Sequence, residues 1–275
     1  MWHKEIDFKK KYVTLTKKVE KREKIFLTFC ILKGETMTYN EKFNFDEFNY
    51  EEEKRRKKQR LVRNEFEKIG KYGIPLVKKQ NIDLDKIELL SYLKTKSDDI
   101  ENFHKTIHFF TYDWNFEVVY EKPEQSLEKL DQYYALLTPE FSTYKDMPLA
   151  RQIDSVFKNR WCGAFWQKQG MLVIPTISWG SYDCFDFFCD GVEEGSVVAV
   201  STYTREDNKK GFMEGYEIMM KKIKPSAIIC YGTPFDEMEG NIRSIDPFDR
   251  EKLIKKIGLS EFTRKYFAGE LFPEI

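Results

Sequence analysis

Arg160 is the residue whose setting most invites a chemical reading. It lies in a helical stretch that opens at Pro148 and stops at Gly170, where Ile153, Arg160 and Gln167 are spaced by seven. Such spacing puts the three almost in line, with Phe157 and Ala164 flanking the line. A guanidinium at a buried face needs a polar or anionic partner, because an unpaired charge inside a protein is costly. The partner is either internal, with Asp146 or Asp186 the nearest candidates, or external: a phosphate or a ligand carboxylate.

Polar and aromatic residues also recur where apolar runs end. Asp113 and Trp114 follow one run, Glu140 and Ser142 a second, Ser178 and Trp179 a third, Ser201 and Thr202 a fourth, Tyr231 and Gly232 a fifth. If those runs are parallel strands, ligands are expected beyond their carboxyl ends. The candidate ligand-binding residues are therefore Arg160, Gln167, Ser178, Trp179, Asp113, Glu140, Ser201 and Tyr231. Trp161, Trp166 and Trp179 offer either a stacking wall or core packing. Asp183, Asp186 and Asp190 alternate with Phe185, Phe187 and Phe188, which reads as the polar side of a short helix. A divalent metal is the one cofactor those aspartates would suit, and no motif indicates it. Cys184 and Cys189 do not have zinc spacing. His104 and His108 are four apart but lead into a strand, so they do not read as a metal pair. Phosphate-loop, dinucleotide and nucleophile-elbow signatures are absent from the sequence.

The elements that must position these residues are short apolar runs alternating with helical patterns. Strands are expected over residues 107–112, 135–138, 171–178, 196–201, 227–231 and 242–245, and an earlier one over Ile25–Leu32. Helices are expected over residues 51–68, 123–134, 148–169, 211–223 and 248–267, with a short aromatic helix over 182–189. This alternation predicts an α/β fold with a mainly parallel sheet, either barrel-like or doubly wound. A basic N-terminal extension with a connector helix is expected over residues 1–63, and the α/β domain over 70–275, after the break at Gly70-Lys71-Tyr72-Gly73-Ile74-Pro75.

Charge divides along the same line. Residues 1–63 carry 18 Lys and Arg against 11 Asp and Glu, and the remainder 28 against 35, so the chain is neutral as a whole. A basic arm on an acidic body points to an anionic partner for the arm, nucleic acid included, and argues against nonspecific DNA binding by the body. Aromatic content of 16% is explained by coding bias as readily as by stacking surfaces. Five cysteines without a disulfide spacing predict reduced thiols and a cytoplasmic protein. The opening residues are charged throughout, unlike a signal peptide, and no apolar run approaches the ~20 residues that span a bilayer.

Several long segments carry a family resemblance. The stretch TPEFSTYKDMPLARQIDSVFKNRWCGAFWQKQG, followed by VIPTISWG, FDFFCDGVEEGSVVAVST and IKPSAIICYGTPFDEMEG, resembles the family called domain of unknown function 4417, as does KYGIPLVKKQNIDLDKIELLSY upstream. The resemblance covers about Lys71 to Gly240 and leaves the basic arm outside it. It implies a setting in phages, plasmids and integrated elements of bacteria, and no catalytic residue comes with it. Two functions follow as expectations. One is a mobile-element accessory protein that binds a host or defence component, a phage protein or nucleic acid. The other is an enzyme or sequestering protein for a small phosphorylated or nucleotide-like anion at the strand-end rim. In the second, Arg160 would hold the anion and Trp179 would stack on it.

Overall fold

The structure, a computed structural model, describes residues 50–203, 208–245 and 258–267. The strand expected over Ile25–Leu32 and most of the helix expected over 248–267 lie outside them. The chain divides into two units between Arg63 and Asn64, each described by itself.

In the first unit, helix α1 spans Tyr50–Lys58. Its last turn holds Arg55, Arg56, Lys57 and Lys58, where cations suit the carbonyl end of the helix dipole. The expected helix ran on to Lys68, but α1 stops at Lys58. Arg60 adopts the left-handed conformation (φ 57°), and the Leu61 N–H closes back on the Arg56 carbonyl.

The second unit starts with a correction of the same origin. Strand β1 (Lys68–Ile69) pairs antiparallel with β2 (Ile74–Pro75) around a turn in which Gly70 and Gly73 have positive φ. The Leu76 N–H adds a bond to the Glu67 carbonyl. Phe66 packs edge-on against Trp161. Helix propensity from Glu65 onward thus yields to strand pairing and burial.

Seven parallel strands then follow in chain order. Strands β3 (Leu89–Ser91), β4 (Thr106–His108), β5 (Ala135–Leu137) and β6 (Val173–Ile174) form one sheet. Strands β7 (Val197–Ser201), β8 (Ala227–Tyr231) and β9 (Ile242–Ile245) form another. A parallel bridge between Thr176 and Ala199 joins β6 to β7. The order never reverses, as it would in a doubly wound sheet.

One buried cluster draws on every strand: Leu89, Phe110 just past β4, Leu137, Ile174, Val197, Ala199, Ala227, Ile229 and Ile245. Their neighbours Ile107, Leu136, Val173, Val198, Val200, Ile228 and Cys230 belong to two other clusters, shared with the helices. Alternate residues therefore face an interior and a helical jacket, the arrangement of a (β/α) barrel. At the remaining seam Arg243 of β9 donates to the Ile87 carbonyl ahead of β3 at 3.2 Å. The described residues thus form a barrel-like member of the α/β class with seven parallel strands.

The helices follow their strands: α2 (Val118–Glu121) and α3 (Pro123–Leu130) after β4, α4 (Leu149–Lys168) after β5, α5 (Lys209–Ile223) after β7, and α6 (Leu259–Phe267) after β9. Helix α4 packs two clusters at once, with Val156 in one and Trp161, Cys162, Phe165 and Trp166 in the other. Gly163 lets it approach so closely that a Cβ there would lie 2.7 Å from Thr138 Cγ2 and 2.8 Å from Val77 Cγ2. After β6 the expected short helix is a 3-10 turn, Tyr182–Asp186.

Candidate functional site at the barrel mouth

The carboxyl ends of the strands form a laced rim. Past β4, a 3-10 turn over Asp113–Asn115 presents Asp113 to the loop after β5. There its carboxylate accepts from the Ser142 hydroxyl at 2.8 Å and from the Ser142 N–H at 3.1 and 3.2 Å. The next residue, Thr143, donates its hydroxyl to Ser178 Oγ at 3.4 Å, after β6. Gly180 passes directly beneath the Thr143 and Tyr144 carbonyls, where a Cβ would overlap backbone. Trp179 donates its indole N–H to the Gly211 carbonyl of α5 at 3.2 Å and lies flat over Gly215. Gln152, almost fully buried at the start of α4, donates to the Met147 carbonyl (2.9 Å) and to Ser181 Oγ (3.1 Å), pinning two of these loops together.

Within this rim Glu140, Ser178, Trp179 and Ser201 line one cleft with Ile177, Asn208 and Phe212. Its free volume, about 10 Å³, admits a group the size of one water. Ser201 is the ladder partner of Tyr231. Tyr231 stacks on Phe110 (ring centroids 4.5 Å apart, planes at 21°) and lies 4.8 Å from the His108 ring. Four expected residues, Glu140, Ser178, Trp179 and Ser201, line the cleft, and Tyr231 with its aromatic neighbours stands beside Ser201 on the next strand. Asp113 belongs to the same rim as a brace for the β5 loop.

Arg160 and Gln167 are placed elsewhere. Arg160 is only 2% exposed. It donates to the carbonyls of Asp190 (3.1 Å), Thr176 (2.9 Å) and Phe188 (2.8 Å), and to the Asn159 side-chain oxygen. Burial lowers its pKa to about 10, opposed by charge at Cys189 and Asp190, so it stays cationic at neutral pH. The expected internal carboxylates, Asp146 and Asp186, are not its hydrogen-bond partners: backbone carbonyls take that role, and Asp186 pairs with Lys71 instead. Asn159 is held by the Pro139 and Thr176 carbonyls, so the pair stitches α4 to the segments after β5 and β6. Gln167 sits at the opposite, amino-terminal end of the strands. There it donates to the Lys78 carbonyl and to Gln80, and accepts from the Lys78 N–H.

His108 is the residue that sequence reasoning missed. His104 faces Glu88 at 3.7 Å, whereas His108 points into the barrel, 6% exposed. Burial, with Lys94 nearby, pushes its pKa down to about 3, so it is neutral. The signal was the alternation Thr106, His108, Phe110 against Ile107, Phe109, which puts the histidine on the inward face. Cys184 and Cys189 are buried thiols, with pKa values raised by burial to about 11 and about 12. Among the described residues no three His, Cys, Asp or Glu side chains are grouped to hold a metal ion, and no helix is long and apolar enough to cross a membrane.

A family model described as "Domain of unknown function (DUF4417)" matches residues 66–249, from the β1–β2 hairpin through β9. The chain belongs to this family. It is also similar to the Gene 1 proteins of Mycobacterium phage D29 and Mycobacterium phage L5, each 40% identical over 129 residues. That match covers 46% of this chain, and 48% and 56% of the two phage proteins, so the chain spans about half the length of the curated relatives it matches. No solved structure matches. The family match encloses every strand of the barrel and all the mouth residues described above.

Proposed function

We propose that this chain is an accessory protein of a phage or related mobile element that acts by binding, and that it binds a nucleotide-like ligand at the barrel mouth. One observation carries the reading. Four polar or aromatic residues from three strand ends line a single cleft, and one of them, Ser201, is the ladder partner of Tyr231, which stacks on Phe110. Aromatic faces hold a planar ring, while Ser178, Ser201 and Glu140 offer hydrogen-bonding groups for its edge. The cleft admits only a water-sized group, so an exocyclic atom enters and the ring lies across the mouth. Among the described residues no Lys or Arg lines the cleft, and Arg160 is engaged by carbonyls.

A second reading, docking of a host protein on the same face, is favoured by the exposed aromatics there. Tyr112, Trp114, Tyr144 and Tyr182 are all 40% exposed or more and lie on segments that follow β4, β5 and β6. Fluorescence titration with nucleosides and nucleotides, beside a host-lysate pulldown, separates the two. Saturable quenching by a nucleoside, lost in Ser201→Trp, supports the first. Capture of a host protein with no nucleoside response supports the second.

A further inference from the structure

A groove of about 960 Å³ runs along α5 and shares no residue with the cleft at the mouth. A gap in the helical jacket accounts for it. Strands β8 and β9 are parallel, yet the connection between them, residues 232–241, carries no helix among the described residues. Crossovers of this kind usually carry one. The flank of α5 beside that connection therefore has no neighbouring helix from it. Lys209 pairs with Glu237 of the connection at 2.8 Å, and the Tyr216 hydroxyl donates to the Glu239 carbonyl at 2.7 Å. The groove is thus built before anything enters it.

Two stripes of α5 line it at the same helical spacing. One is apolar, with the half-buried Met213 and Met220 on either side of Tyr216. The other is Lys210, Glu214, Glu217 and Lys221, whose charges read plus, minus, minus, plus. The Lys221–Glu217 contact is long, 3.9 Å, and exposed, and Glu214 faces the neutral Tyr182 hydroxyl, so all four charges stay available.

We infer that this groove receives an amphipathic helix of another protein, one with an apolar ridge and, beside it, charges in the complementary order: acid, base, base, acid. From Lys209 to Lys221 the groove follows α5 for about 18 Å, or roughly three turns. That is enough for the side-chain ridges of two helices to interlock. Methionine side chains adapt to the ridge they meet, which suits a groove that takes a helix. A second copy of α5 does not fit in full register. Packed antiparallel, Lys210 would face Lys221 and Glu214 would face Glu217. Packed parallel, each residue would face its own copy. Like charges oppose each other either way, which selects against self-pairing and for a partner of the opposite pattern.

Two fluorescein-labelled helical peptides of about 14 residues are the probes. Both carry leucines along one face. Beside the leucines one has the order Glu, Lys, Lys, Glu and the other the order Lys, Glu, Glu, Lys, so composition and net charge are the same. In anisotropy titrations with the full-length protein, the first should bind at least about tenfold more tightly than the second. The exposed double variant Glu217→Lys/Lys221→Glu leaves each peptide two matched and two opposed charges, and should bind both alike. Met220→Asp should abolish binding of both, with a melting curve to show that it folds. If it does not fold, the double variant alone decides. Ser201→Trp, at the mouth, should leave the peptide affinity unchanged. Equal binding of the two peptides by the parent protein overturns the proposal, as does binding of neither, or a preference that survives the double variant. Loss of peptide binding in Ser201→Trp would move the peptide to the mouth and overturn it too. So would self-association in sedimentation that Met220→Asp removes, since a second copy would then own the groove.

Discussion

The two ends of the barrel spend polar side chains differently. At the amino-terminal end they are stapled to one another and to backbone. Gln167 is bonded to Lys78 and Gln80, Gln80 accepts the Val173 N–H and donates to the Met171 carbonyl, and Arg243 spans the seam to Ile87. At the carboxyl end, braces such as Asp113 and Gln152 order the loops, and Ser178 and Ser201 then line a cleft. The Arg160–Asn159 knot on the barrel's flank belongs with the stapled end in kind, since its donors meet fixed carbonyls. The lesson is that polarity near a core indicates function only where the fold leaves an atom unspent. Substitutions at the stapled groups should move stability and spare binding, and substitutions at the mouth should do the reverse.

The largest break in that pattern comes from Arg160→Ala. It strands the Phe188 and Asp190 carbonyls and the Asn159 side-chain oxygen at once, while the Thr176 carbonyl keeps the Asn159 amide. Losing one partner of a buried charged network costs about 3–5 kcal/mol, so urea unfolding should show a loss of that size. Unchanged stability would place Arg160 among the unspent groups and reverse its assignment.

Acid should act next, through the buried His108. A histidine whose folded pKa is about 3 rather than its ordinary 6.5 resists protonation when folded and accepts it when unfolded. Its contribution is therefore intact above pH 6.5 and is lost as pH falls toward about 3. The slope is about 1.4 kcal/mol per pH unit, or roughly 2 kcal/mol by pH 5. Asp190, whose pKa burial raises, works in the opposite sense at the low end of that window. His108→Gln should flatten the stability–pH curve between pH 6.5 and 4. A variant curve parallel to the parent's would remove His108 as the cause.

Gly215→Ala tests the join between the two behaviours. A methyl there would overlap the Trp179 indole, which is bonded to the Gly211 carbonyl one turn earlier on the same helix and lines the cleft. Overpacking of this kind costs about 1–3 kcal/mol, and the displaced indole would change the shape of the cleft. Both stability and nucleoside affinity should fall, and a loss of stability alone would show that Trp179 does not shape the mouth. Gln167→Ala should cost about 1 kcal/mol, the net worth of a hydrogen bond or two, with binding unchanged.

The stapled and unspent groups were not equally legible. The strand over 227–231 stands where the sequence predicts it, because a buried apolar run bounded by Pro225 and Gly232 admits little else, and the one over 242–245 follows Gly240 with Ile242 and Ile245 at its two ends. The strand at Leu89–Ser91 and the Lys68–Pro75 hairpin were not foreseen, since two or three residues carry no measurable period. The long helix over 51–68 was overextended because local propensity says nothing of the Trp161 ring that captures Phe66. The rim residues followed from the rule that sites lie at strand ends. The partners of Arg160 could not, because carbonyl acceptors have no letter in the sequence. His104 and His108 lead into a strand, as the sequence indicates, but which face of that strand His108 takes is set by the neighbours it meets, Phe110 and Tyr231.

The smallest expected effect on stability is at Trp114, where the comparison is sharpest. Its ring is 70% exposed and stacks on Tyr112 (centroids 4.3 Å apart, planes at 12°), which is itself 40% exposed. Removing a largely solvated side chain leaves no cavity and no stranded donor, so Trp114→Ala should change stability by no more than about 0.5 kcal/mol. A stacked, exposed pair at the mouth is nonetheless a ready face for a planar ligand or for an aromatic anchor of a partner, and such contacts are worth about 1–3 kcal/mol per ring. Trp114→Ala should therefore weaken nucleoside binding by roughly tenfold if the ring extends over this pair. It should abolish host-protein capture, and leave nucleoside binding untouched, if the pair serves a protein partner instead. A variant indistinguishable from the parent in stability, nucleoside affinity and capture would confine the site to the cleft, with the exposed aromatics outside it.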